Sequence, residues 1–130
     1  MEINKLFEYK VNIYREYESF KASITEGAAL LIESTKMTAP IILEKMSDWV
    51  SMVPLKEICF SGDLAAEFED AADEFLEDGN HLDTPTSAFE SHNDACEHFL
   101  FAAGYSGSRL VVFAETTGEL EVALMANLKA

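Results

Sequence analysis

Between Glu57 and Ser108 the sequence contains no lysine and no arginine. Thirteen Asp and Glu residues fall in the same stretch, which therefore holds a net −13 of the chain's −15. Such a surface opposes approach to phosphate, and that argues against direct binding to DNA, RNA or an anionic membrane. Cysteine is equally scarce. Cys59 and Cys96 are too few for a secreted disulfide framework, so reduced thiols and a cytoplasmic location are expected. No apolar run approaches the roughly 18 residues of a membrane span, and the opening MEINKLFEYK lacks the apolar centre of a signal peptide. Repeats, low-complexity tracts and Pro/Gly/Ser linkers are absent as well. Residues 1–130 are accordingly expected to form a single acidic globular domain.

What is there suffices for a core. Apolar residues make up 48% of the 130 and charged ones 25%, an ordinary globular balance. A chain of this size can bury about two-thirds of its unfolded surface without metals or disulfides. The acidic middle keeps Leu64, Phe68, Phe75, Leu76, Phe89, Phe99, Leu100 and Phe101, so it reads as folded structure with an acidic exterior rather than as a solvated tail.

Periodicity gives a mostly helical reading. Residues 2–25 place Ile3, Leu6, Phe7, Val11, Ile13, Tyr14, Tyr17, Phe20 and Ile24 on one broad helical face, although Phe7, Tyr9, Val11 and Ile13 also alternate as in a strand. Ala28, Leu31 and Ile32 extend a second helical piece to about Thr35. Thr38 and Pro40 suit a helix start, followed by the stripe Ile42, Met46, Trp49, Val50 and Val53, with Pro54 ending it. Residues 55–60 fit a strand or a connector. An acidic helix spans about Asp63 to Asp78 and stops at Gly79. Ser87 with Glu90 resembles a capping box opening a helix to about Ala103. In the tail, RLVVFAE reads as a strand that LEVAL joins in a hairpin, with a helix over 117–129 as the rival. The expected fold class is α+β: a predominantly helical domain with a small C-terminal antiparallel hairpin or sheet.

Tests for chemistry return little. His92 and Cys96 are four apart on one helix, but no C-x-x-C or H-E-x-x-H accompanies them, and four convergent ligands would be needed. The spacing therefore gives no reason to expect a metal, and His81, His98 or Cys59 could join such a site only through the tertiary fold. GYSGS, Gly104 to Ser108, misses the G-x-S-x-G nucleophile elbow because Ser108 replaces the last glycine. DEFLEDGNHLD fails as a calcium loop, with Leu76 and Pro85 falling at ligand positions. Phosphate loops and dinucleotide glycines are missing, so no cofactor and no catalytic residues are expected.

The remaining signal is the acidic helix. Asp63, Glu67, Asp70, Glu74 and Glu77 form one row at i, i+3/i+4 spacing, with Cβ neighbours roughly 5–6 Å apart. That repeat approximates phosphates along a nucleic-acid strand. Glu69 and Asp73 add a like-charged pair off the row, and every such pair destabilises an isolated helix by roughly 0.2–0.5 kcal/mol. The expectation is a non-enzymatic, acidic interaction protein that masks a basic surface of a partner protein. The partner class would be a nuclease or other nucleic-acid-binding factor, the charge logic that immunity and anti-defence inhibitors follow as nucleic-acid mimics. The alternatives are an assembly or secretion chaperone with an apolar groove, which would dimerise, and a small enzyme around His92, Cys96 and His98. A homodimer stays open on either reading, and an acidic face kept for solubility remains the plainest rival.

Overall fold

The structure is a computed structural model describing residues 2–5, 9–50, 54–79, 84–103, 109–115 and 118–129. Strands and helices alternate along nearly the whole chain. β1 (Glu2–Lys5) and β2 (Tyr9–Tyr14) are followed by α1 (Tyr17–Ala22), β3 (Ala29–Glu33), α2 (Ala39–Val50) and β4 (Glu57–Ser61). Then come α3 (Ala65–Asp78), β5 (Thr86–Phe89), α4 (His92–His98) with its π-helical extension Phe99–Ala103, β6 (Leu110–Ala114) and α5 (Glu119–Lys129). The sheet order is β1-β2-β6-β3-β4-β5. Five of these strands run parallel, and β1 adds antiparallel at the edge beside β2.

This corrects the expected fold class. The protein is α/β, with a parallel sheet between two helical layers, rather than a helical domain ending in an antiparallel hairpin. Each departure has a local cause. A strand covered on both faces buries every side chain, so its sequence is an uninterrupted apolar run without alternation. In β3 all five residues, ALLIE, are buried, and such a run imitates a helical piece. The helix expected over 2–25 is instead β1, β2 and the short α1, and the alternation of Tyr9, Val11 and Ile13 belongs to β2. Of the expected hairpin, only the strand at 110–114 forms. It pairs with β2 and β3, both parallel, and residues 119–129 return as α5. Ser87 lies within β5, and the cap of α4 is Ser91, whose Oγ accepts from the Asp94 amide at 3.2 Å. α2 and α3 lie close to their expected positions. Val53 and the GYSGS stretch fall outside the described residues.

One face of the sheet, with Leu30, Ile32, Ile58, Phe60, Val111 and Phe113, packs on α1, α2 and α3. The other, with Ala29, Leu31, Cys59, Leu110 and Val112, packs on α4 and α5 through Cys96, Phe99, Leu100, Leu120 and Leu124. Among the described residues no helix is long and apolar enough to cross a membrane.

A polar relay sits at the edge of the first core. Trp49 Nε1 donates to Tyr17 Oη at 2.9 Å, and Tyr17 Oη donates to Asp48 Oδ2 at 2.8 Å. Burial, reinforced by that bond to Asp48, pushes the Tyr17 phenol well above its usual value. The neutral phenol is thus favoured in the folded state. Its contribution to stability is complete below the unfolded-state value near 10 and is lost as pH rises above it. Tyr17→Phe is expected to cost about 1–3 kcal/mol at neutral pH, because the indole N–H loses its acceptor. It should also flatten the fall in stability above pH 10, which urea titrations from neutral to alkaline pH would measure.

Candidate functional site

In a parallel sheet the loops leaving the carboxyl ends of the strands converge on one edge, the usual place for ligands in this architecture. A cavity of about 480 Å³ opens there, lined by Glu33 at the end of β3 and Ser34 beyond it, Ser61 at the end of β4 with Gly62 and Asp63 beyond it, Glu90 after β5, and His92 and Glu119 at the starts of α4 and α5. Gly62 makes the turn from β4 into α3 with φ at +110°, a conformation only glycine adopts without strain. Its amide donates to the Phe89 carbonyl at 2.9 Å, and its carbonyl accepts from the Ala65 amide at 3.1 Å. Among the described residues a Cβ at Gly62 would meet only His92 Cε1, at 3.6 Å, an ordinary contact. The cost of Gly62→Ala is therefore conformational, about 1–3 kcal/mol by urea denaturation, with the cavity wall kept.

Within the cavity the buried Ser61 Oγ and His92 Nδ1 lie 2.5 Å apart in a hydrogen bond, and His92 Nε2 lies 3.9 Å from Glu119 Oε2. A hydroxyl, an imidazole and a carboxylate in series match the order of an acyl-transfer triad only in part. Glu119 is 78% exposed, and the carboxylates of Glu33, Asp63 and Glu90 line the same space without a Lys or Arg among the described lining residues. An oxyanion forming there would be opposed rather than stabilised. The electrostatics suit a cationic group.

The acidic row sits beside this cavity. Asp63 lines it and lies two residues ahead of α3, and Glu67, Asp70, Glu74 and Glu77 follow along the outer face of the helix, all five exposed. The buried face opposite is Ala65, Phe68, Ala71, Ala72 and Leu76. Among the described residues none of the five forms an ion pair, whereas Arg15 pairs with Glu121 at 2.5 Å and Lys21 with Glu18 at 3.8 Å elsewhere. The off-row acids behave differently. Thr86 Oγ1 on β5 lies 2.6 Å from Asp73 Oδ1 and 3.1 Å from Glu69 Oε2, so its single hydroxyl proton sits between the two carboxylates and eases their mutual repulsion.

His92 and Cys96 share α4 but do not converge. Cys96 is fully buried, with Sγ 3.9 Å from the Leu120 carbonyl, and burial pushes its thiol up to about 12. His98 turns to the opposite end of the sheet and meets Glu57, its Nε2 being 2.5 Å from Oε2. His81 lies outside the described residues. The small-enzyme constellation of His92, Cys96 and His98 is thus not assembled.

The chain matches no protein-family model, and no curated protein matches its sequence. The functional reading rests on the geometry of the site. Ser61, Gly62, Glu90 and Glu119 escape the sequence reading because each sits at or beside the end of an element, and no local spacing links them to one another. The run ICFSGD holds the one available signal: a strand followed directly by Ser-Gly marks a strand-to-helix turn once residues 55–60 are taken as β.

Proposed function

We propose that this is a non-enzymatic interaction protein that covers a basic surface on a partner protein, the chemistry of an inhibitor of a nuclease or other nucleic-acid-binding factor. The observation that carries the reading is the exposure of Asp63, Glu67, Asp70, Glu74 and Glu77 together, with no cation compensating them among the described residues. Such a row is unfavourable in the free protein. A partner that supplies lysines and arginines relieves the repulsion on binding, so the unfavourable term becomes a favourable difference between bound and free states. The adjoining cavity supports the same reading. It shares Asp63 with the row, continues the negative surface inward, and has room for a basic side chain.

The test is capture of partners from the native host at low and high salt, followed by affinity measurements on the recovered protein. A basic partner whose affinity falls steeply with salt supports the proposal. Binding that persists unchanged in high salt would point to apolar burial and to the chaperone alternative.

A further inference from the structure

A second cluster, at the opposite end of β4, is independent of the acidic face. Glu57 begins β4, and Cys59 follows two residues later, with its side chain in the core shared with α4 and α5. His98 reaches the same point from the last turn of α4. Ser87, the parallel register partner of Cys59, comes from β5. All converge on one carboxylate oxygen. Glu57 Oε2 accepts from Ser87 Oγ at 2.7 Å and from Cys59 Sγ at 3.3 Å, and it lies 2.5 Å from His98 Nε2. The donor atoms of Glu57, Cys59 and His98 all lie within 4.8 Å of one another.

We propose that Glu57, Cys59 and His98 form a binding site for a late first-row divalent metal, zinc by its ligand set. Ligand distances of about 2.0–2.3 Å place the corners of a tetrahedral zinc site roughly 3.3–3.7 Å apart. The 3.3 Å between Cys59 and Glu57 already matches, His98 would withdraw from Glu57 by about 1 Å to reach that spacing, and Cys59 and His98 lie within 4.8 Å of each other. On binding, the Cys59 thiol gives up its proton to solvent, and the resulting thiolate with imidazole selects zinc over calcium or magnesium, which take oxygen ligands. Ser87 supplies the outer hydrogen bond that orients the carboxylate. Three protein ligands leave a fourth position, as in zinc sites that bind water or a further ligand. His98 lines a cavity of about 440 Å³ with Phe89, Asp94, Glu97, Phe101 and Ala102, and its side chain is 30% exposed, so this ligand of the three faces solvent on that side. The fully buried Cys59 is badly placed as a nucleophile towards a substrate, yet well placed as a ligand approached through His98.

The experiment uses the full chain, purified without a metal-affinity step and treated with chelator, then titrated with Co²⁺ as the spectroscopic probe and with Zn²⁺ in competition. One equivalent of Co²⁺ should bind with tetrahedral absorption and a thiolate charge-transfer band, displaced by one equivalent of Zn²⁺. Cys59→Ser should lose the charge-transfer band, while Cys96→Ser keeps it. His98→Gln, a change at a partly exposed position that leaves the core intact, should weaken binding at least 10-fold, and Ser87→Ala roughly 10-fold. Zn²⁺ should raise the melting temperature of the wild-type chain, and at the same Zn²⁺ concentration raise that of His98→Gln by less. Absence of saturable binding overturns the proposal. So does one-equivalent binding that His98→Gln leaves unchanged, since the ion would then sit on surface carboxylates.

Discussion

Trp49→Ala is expected to remove about 3–5 kcal/mol of stability, the range of a large aromatic ring deleted from a packed core. Trp49 is 1% exposed and ranks among the largest fully buried side chains, within the core between α1, α2, α3 and the sheet. Its ring stands edge-on to Phe20, with centroids 6.2 Å apart, and its N–H donates to Tyr17. The substitution therefore opens a cavity, deletes an aromatic contact and removes one bond of the Tyr17 relay together. Domains of this size are stable by only about 5–15 kcal/mol, so the variant should unfold at much lower urea. Far-UV circular dichroism is the suitable probe, because Trp49 is the only tryptophan. Trp49→Phe keeps most of the volume and should cost less. A loss below about 1 kcal/mol for Trp49→Ala, typical of surface positions, would show that α2 packs on the sheet by another face.

The placement of Trp49 was legible because α2 is amphipathic. One face of α2 meets the sheet and the other meets water, so Ile42, Met46 and Trp49 recur at helical spacing. The same holds for α3. The parallel strands lack that contrast: β3, β4 and β6 lie between two helical layers, and a strand buried on both sides leaves no period to read. Their pairing partners are distant in sequence, so nothing local distinguishes a return strand from a return helix over 117–129. The site divides along the same line. A row on one exposed helix face can be counted from spacing alone. The meeting of Ser61 with His92, or of Glu57 and Cys59 with His98, depends on the order in which strands enter the sheet.

Neutralising the row should slow association with a basic partner by roughly 10-fold or more at low salt, within the range by which charge steering raises encounter rates. The suitable variant is Glu67→Gln/Asp70→Asn/Glu74→Gln, which preserves size and leaves the buried face of α3 untouched. From Glu67 to Glu77 the row spans about 15 Å along the helix axis. That exceeds the Debye length of about 8–10 Å at 0.10–0.15 M salt, so the difference between variant and wild type should shrink as salt rises. Free of partner, the variant should be more stable than the wild type by a few tenths to about 1 kcal/mol, because like charges in successive turns are gone. Part of that gain is returned at Glu67, whose charge in the first turn of α3 favours the helix dipole. The opposite signs of the two effects separate the readings. A face kept for solubility gives the gain in stability with unchanged affinity and a greater tendency to aggregate near neutral pH. A binding face gives the gain in stability together with slower association. Charges at the rim should leave dissociation nearly unchanged, whereas a carboxylate desolvated at the centre of the interface should quicken it. An unchanged dissociation constant at low salt, for a partner verified by capture from the host, would remove α3 from the interface. The carboxylate-lined cavity at the strand ends would then be the remaining place for a basic group to bind.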